Sequence, residues 1–240
     1  YIVQAYRTAV GKSKKGKLRF TRADDLGAGL IKKMTEKLHG FEKDIINDVI
    51  VGNATPEAEQ GLNLGRMISL IGLDSVKVPG MTINRYCSSG LETIAIGTAK
   101  IKSGMSSCIL AGGVETMSTI PMGGWKIIPN SQIAKKNPDW YWGMGLTAEA
   151  VANEFDVSRE DQDEFAYWSQ VKASKAQENG RLEKEILPVE IPQRKKDPIV
   201  FAKDEFVKPT TSKEILAKLR PAFKKEGGSV TAGNASGLND

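Results

Sequence analysis

The chain has 240 residues, 40% of them hydrophobic and 26% charged, with a formal net charge of +5. That composition excludes collagen-like, disordered and membrane-embedded readings, and the length supplies enough core for roughly one to two domains without staples. Two cysteines exclude a disulfide framework and suit a reducing compartment, and the single histidine must serve any mechanism that needs one unless another comes from outside the chain.

In chain order, residues 2–6 read as a strand. No initiating Met and no charged, apolar leader precede them, so no signal peptide is expected, and no apolar run nears the roughly 20 residues of a membrane helix. Leu26, Leu30, Met34 and Leu38 recur at helical spacing over 24–38, with Gly40 as a stop signal. A short buried strand is expected at 48–53, a helix at 62–73, a strand at 80–84, a helix at 89–102 ending at Gly104, and a strand at 107–111 before Gly112-Gly113. Strands alternating with helices imply an α/β architecture with a buried, largely parallel sheet. From about Ser118 the texture changes: all four tryptophans and eight of the ten prolines follow. A loop-rich run to Gly145 precedes a helix at 147–155. Ser158 with Asp161 then makes a capping-box start for a helix to about Asn179. Strands at 185–191 and 198–202 and a helix at 212–219 complete what reads as a smaller α+β lobe. The chain closes on Gly237-Leu238-Asn239-Asp240, turn chemistry with no element behind it, so both ends read as cut.

Chemistry concentrates at Asn84-Arg85-Tyr86-Cys87-Ser88-Ser89-Gly90. Cys87 falls on a strand-to-helix turn at the N-terminus of an expected buried helix. There the unpaired backbone N–H groups and the positive helix end favour a thiolate. Small Ser88, Ser89 and Gly90 let a substrate carbonyl approach the backbone, where the Cys87 N–H is a candidate oxyanion donor. Cys108 lies within an expected strand and reads as core packing. Twenty residues separate the two cysteines and no Cys or His pair has metal spacing, so no metal site is expected. His39 precedes Gly40 at a helix C-terminus and reads as a capping partner, which leaves Cys87 without a base in this chain.

Three other patterns resolve as decoys. Gly11–Lys17 matches most of a phosphate loop but fails at Leu18, where Ser or Thr should hold magnesium, and no helix opens behind it. Asn53-Ala54-Thr55 and Asn234-Ala235-Ser236 match a glycosylation acceptor without a secretory signal. The basic residues between Arg194 and Lys225 are interleaved with acids and carry no nucleic-acid-binding motif, so they read as a solvated face or a holder of a small phosphate ligand.

The motif around Cys87, together with Gly112-Gly113-Val114-Glu115-Thr116-Met117-Ser118, Gly143-Met144-Gly145-Leu146-Thr147-Ala148-Glu149 and the run from Val230 to Asp240, resembles the thiolases, the acetyl-CoA acyltransferases. Arg7-Thr8-Ala9-Val10-Gly11 and Arg220-Pro221-Ala222-Phe223 agree, and the motifs follow the family's order along the whole chain. The resemblance implies a thiolase-like layered βαβ half, a mostly parallel mixed sheet between helices, with an inserted α+β loop domain. It places residues 1–117 in the first half with the nucleophile, 118–230 in a CoA-binding loop domain, and 231–240 at the entry to a second half missing from this sequence. The family's base histidine, second catalytic cysteine and a water-orienting Asn belong to that second half.

For function, the resemblance implies thiolytic cleavage of a 3-oxoacyl-CoA by CoA through an acyl-cysteine on Cys87, with no permanently bound cofactor and acyl-CoA as substrate. Met144 matches a position packing on the pantetheine arm, and Ser236 one near the pantetheine and nucleotide path. Lys208 falls where many relatives place an Arg against the CoA phosphates, keeping the charge but losing the bidentate fork. A further phosphate-side Ser of the family is Ile215 here. Gly143 stands where short-chain relatives carry a His, and Trp140-Tyr141-Trp142 adds bulk, which argues against strict acetoacetyl-CoA specificity. Glu115 reads as a structural carboxylate. The implied whole is a cytoplasmic β-oxidation enzyme, a homodimer or dimer of dimers, with no nucleic acid and no membrane span. The 240 residues alone are expected to be inactive. A biosynthetic acetoacetyl-CoA thiolase and a non-catalytic acyl-CoA-binding or interaction fragment stand as alternatives.

Overall fold

Apolar runs alternating with amphipathic stretches must bury a sheet under helices, and the first half of the chain does so. The computed structural model describes residues 1–240. Its elements in order are α1 (Ala23–Glu36), β1 (Asp48–Gly52), α2 (Leu64–Leu73), β2 (Gly80–Ile83), α3 (Ser89–Lys102), β3 (Ile109–Gly113), α4 (Ser131–Lys136), α5 (Met144–Glu154), α6 (Arg159–Glu178), β4 (Val189–Gln193), β5 (Lys196–Phe201) and α7 (Lys213–Ala217). They sort into two compact units. One comprises Tyr1–Lys126, Glu183–Glu205 and Leu238–Asp240; the other comprises Ile127–Leu182 and Phe206–Gly237.

In the first unit the sheet runs β2-β1-β3, all parallel, with Ile50 opposite Met81 on one side and Ala111 on the other. Every residue of the central β1 is buried: Val49–Val51 are apolar, and Asp48 is ion-paired with Lys100. Side chains alternate across the sheet. Val49 and Val51 join Ala23, Ile31, Leu64, Ile68 and Leu73 in the core under α1 and α2. Gly52, of the opposite parity, faces the start of α3. The β4–β5 hairpin belongs to this unit too, pairing Ile191 with Ile199 in antiparallel register.

The second unit is built on α6. Ser158 caps it: the hydroxyl accepts from the Asp161 N–H at 3.0 Å and donates to the Asp161 carboxylate at 2.6 Å. The Arg159 guanidinium donates to Asp163 at 2.8 Å and to the carbonyls of Leu216 and Leu219, satisfying the open C-terminal end of α7. Asn234 donates to the other oxygen of Asp163 at 2.9 Å, which ties the Thr231–Gly233 turn to α6.

Several expectations change. Residues 2–6 form no strand: Ile2 and Val3 are exposed, and regular backbone pairing begins only at Arg7, bridged to Ile186. Strand propensity alone does not make a strand, and this segment pairs with neither edge of the β2-β1-β3 sheet. The strand expected at 107–111 runs two residues later, because the Asn47 side chain takes the N–H groups of Ser107 and Cys108 at 2.7 and 3.0 Å. Helix α3 is not buried throughout. Ser89, Thr93 and Gly97 face the sheet, whereas Leu91, Ile94 and Ile101 are exposed. Asp204 accepts from both Arg7 guanidinium N–H groups at 2.8 and 3.0 Å and from the Val10 N–H at 2.8 Å, and with buried Ile186, Leu187 and Phe201 it returns the segment 183–205 to the first unit.

Candidate active site

A parallel strand running into a helix presents the turn between them at the C-terminal edge of the sheet, and residues 84–88 occupy that turn. Asn84 shapes it: its carbonyl oxygen accepts from the Tyr86 N–H at 2.9 Å, the local Asx pattern, while its amide donates to the Ala54 carbonyl at 3.1 Å. Tyr86 takes φ +46°, the left-handed region that costs a non-glycine residue about 1–2 kcal/mol. Ser89 holds that conformation from behind. Its buried hydroxyl donates to the Tyr86 carbonyl at 2.6 Å and accepts from the Arg85 N–H at 2.9 Å. The Ser88 N–H is closed on the Arg85 carbonyl at 3.1 Å.

Cys87 follows Tyr86 in this single 3₁₀ turn, exposed and with its sulfur free, directly ahead of the 14-residue α3. The position combines access for a substrate with the positive end of a helix. A Cβ at Gly52 would lie 2.5 Å from the Ser89 carbonyl carbon, so only glycine at the end of β1 lets α3 seat this close to the sheet. Gly90 meets nothing within 4 Å, which leaves open space beside the turn. Ser89 is thus a hydrogen-bonding clamp as well as a small spacer, and Gly52 joins the site from β1. The Asx pattern at Asn84 was legible from two-residue spacing; the Gly52 contact, across 37 residues, carried no local signal.

The loops beyond β1 and β3 are locked beneath. Glu115 accepts from the Ala54 N–H at 2.7 Å and from the Gln60 amide at 2.6 Å, and the Gln60 carbonyl oxygen accepts from the Thr116 N–H at 2.8 Å. Glu115 therefore has the structural role its sequence context suggested. Cys108 packs partly buried against the core just ahead of β3, and burial pushes its thiol up from the ordinary value. His39 is exposed beyond the end of α1. The groups hydrogen-bonded within the Cys87 turn come from Asn84, Arg85, Tyr86, Ser88 and Ser89, with Glu92 ion-paired to Arg85 at 3.0 Å.

The other three candidates lie in the second unit. Met144 opens α5 and is exposed. Lys208 is exposed, with its backbone N–H held by the Gln170 side chain at 2.8 Å and its ammonium unengaged. Ser236 is exposed with its hydroxyl on the Gly237 carbonyl at 3.2 Å. Two features supporting them were not anticipated. A Cβ at Gly145 would fall 2.2 Å from the Phe223 ring, so α5 packs on Phe223 through a glycine. Buried Glu149 accepts from the N–H groups of Ser229 and Val230 and the Ser229 hydroxyl at 2.9–3.0 Å. Burial pushes its carboxyl up, but those hydrogen bonds and the Lys224 charge outweigh it and hold it below the ordinary value.

No helix in the structure is long and apolar enough to cross a membrane. The model of the thiolase N-terminal domain matches residues 1–240. A 3-ketoacyl-CoA thiolase of Bacillus subtilis is 47% identical over 249 residues, covering 100% of this chain and 63% of the relative. A beta-ketoadipyl-CoA thiolase of Acinetobacter baylyi is 44% identical over 259 residues with the same coverage of each chain. The crystal structure of the Bacillus anthracis acetyl-CoA acetyltransferase superposes with a TM-score of 0.86 at 34% identity, covering 100% of this chain and 62% of that one. The chain thus spans 63% of the length of these curated relatives. Parallel sheet, cysteine turn and whole-chain match agree: the chain belongs to the thiolase family.

Proposed function

We propose that this chain carries the nucleophile of a 3-ketoacyl-CoA thiolase. The observation that supports it is Cys87, exposed on a strained, clamped turn at the N-terminus of α3. The Cys87 thiolate bonds to the 3-keto carbon of a 3-oxoacyl-CoA, with the Cys87 N–H as an oxyanion donor. The C2–C3 bond then breaks, its electron pair leaving as the acetyl-CoA enolate, which takes a proton from an acid outside these residues. A CoA thiol, deprotonated by a base also outside them, attacks the acyl-cysteine, and the C–S bond to Cys87 breaks as the shortened acyl-CoA leaves. Met144, Lys208 and Ser236 serve the pantetheine, phosphate and nucleotide path of CoA. Gly143 and the Trp140-Tyr141-Trp142 run favour a degradative substrate over acetoacetyl-CoA alone, in line with the name of the Bacillus subtilis relative. Two free cysteines suit a reducing compartment such as the cytoplasm, and the assembly is read as a homodimer or dimer of dimers.

Alkylation with iodoacetamide at neutral pH followed by peptide mapping tests the assignment. Cys87 is expected to label well ahead of Cys108, and equal labelling of the two would overturn it.

A further inference from the structure

A cleft of the first unit lies between α1 and the β4–β5 hairpin, with a volume of about 880 Å³. It is far larger than an inorganic anion needs and falls in the range of small-molecule sites. Leu26 and Leu30 of α1 and Ile191 and Ile199 of the hairpin supply apolar lining. Two basic segments meet around it: Lys17, Arg19 and Arg22 ahead of α1, and Arg194 and Lys196 at the hairpin tip.

Not all of that charge is available. Arg22 is closed on Asp24 at 2.8 Å, and Lys33, also on the wall, donates to the Pro188 carbonyl at 2.7 Å and lies 3.6 Å from Glu190. Lys17, Arg19, Arg194 and Lys196 have no carboxylate partner; the Arg19 guanidinium donates to the Gly16 carbonyl at 2.9 Å, the Lys17 ammonium lies 6.0 Å from the Phe201 ring centroid, and Asp25 and Glu190 stand on the same wall. Four cations without a carboxylate partner around one cleft favour an anion seated among them. Beside them Phe20 is 83% exposed, with the Arg19 guanidinium 4.7 Å from its ring centroid. An exposed ring backed by a guanidinium is a platform on which a planar base stacks.

We propose that this cleft binds a nucleoside polyphosphate, its phosphates among Lys17, Arg19, Arg194 and Lys196 and its base on Phe20. The mode differs from a phosphate loop, since the residues after Lys17 form turns and α1 begins only at Ala23. The proposal does not depend on Cys87.

Calorimetric titration of the 240-residue protein with ADP, and separately with pyrophosphate, tests it. ADP is expected to bind saturably, with affinity falling as salt rises. Arg194→Glu with Lys196→Glu should weaken it by roughly tenfold or more. Phe20→Ala should weaken ADP and leave pyrophosphate unchanged. Lys208→Glu, at the proposed CoA phosphate position, should leave ADP binding intact, which separates this cleft from a site for the nucleotide end of CoA. The altered side chains are exposed, and unchanged melting curves would confirm that each variant folds. Absence of saturable heat up to about 1 mM ADP, binding that survives the Arg194/Lys196 double variant, or binding lost in Lys208→Glu would each overturn the proposal. Pyrophosphate binding as tight as ADP, with Phe20→Ala silent, would overturn the nucleotide assignment.

Discussion

Ser89→Ala removes the clamp that holds Cys87 in place. The hydroxyl makes two hydrogen bonds, at 2.6 Å to the Tyr86 carbonyl and at 2.9 Å from the Arg85 N–H, and the residue is 3% exposed. Each bond contributes about 1 kcal/mol net, so the loss is about 2 kcal/mol. That matches the about 1–2 kcal/mol needed to hold Tyr86 in the left-handed region. Without the clamp, the turn should relax toward negative φ at Tyr86 and carry Cys87 away from the start of α3. Two readouts follow. The melting midpoint should fall by about 4–8 °C, from about 2–4 °C per kcal/mol for a chain of this size. The iodoacetamide rate at Cys87 should change by roughly tenfold, the factor carried by about 1.4 kcal/mol, while that at Cys108 stays constant. Tyr86→Gly in the Ser89→Ala background removes the left-handed cost and should restore part of both. Wild-type melting together with wild-type labelling in Ser89→Ala would show that Ser89 does not hold the Cys87 turn.

Gly52→Ala places a Cβ 2.5 Å from the Ser89 carbonyl carbon and should cost about 1–3 kcal/mol or more in denaturant unfolding; an unchanged midpoint would show that α3 can move away freely. Because burial raises the Cys108 thiol, its alkylation should rise only at a higher pH than that of an ordinary free thiol, and a pH profile by peptide mapping checks this. Glu149 is held below its unfolded value of 4.5, so the stability it supplies is fully present above that value and is lost as pH falls through the lower folded one. Acid unfolding followed by tryptophan fluorescence should therefore be less pH-dependent in Glu149→Gln, which is also destabilised at neutral pH. The 240-residue protein should show no thiolysis of acetoacetyl-CoA, because its one histidine is exposed beyond α1; measurable consumption by the pure chain would contradict the proposed need for an outside base.

Features that depend on neighbours within a few positions are written in the local order of residues. The spacing of Leu26, Leu30 and Met34 made α1, Ser158 and Asp161 made the cap of α6, and Asn84 two residues before Tyr86 made the bend that presents Cys87. The apolar Val49–Val51 run marked β1 as a buried strand for the same reason, whereas its central place came from its two partners. Tertiary structure decided what depends on a distant partner. Residues 2–6 have strand propensity but pair with no strand, and the outward side of α3 lies open although its sequence is apolar enough for burial. The hairpin joins the first unit through Arg7 and Asp204, 197 residues apart. Lys17 and Lys196 reach one cleft by the same long-range pairing. Periodicity and capping act through hydrogen bonds across three or four residues and so leave a trace in local order. Strand partners, buried ion pairs and converging charges are set by packing, which local order does not encode.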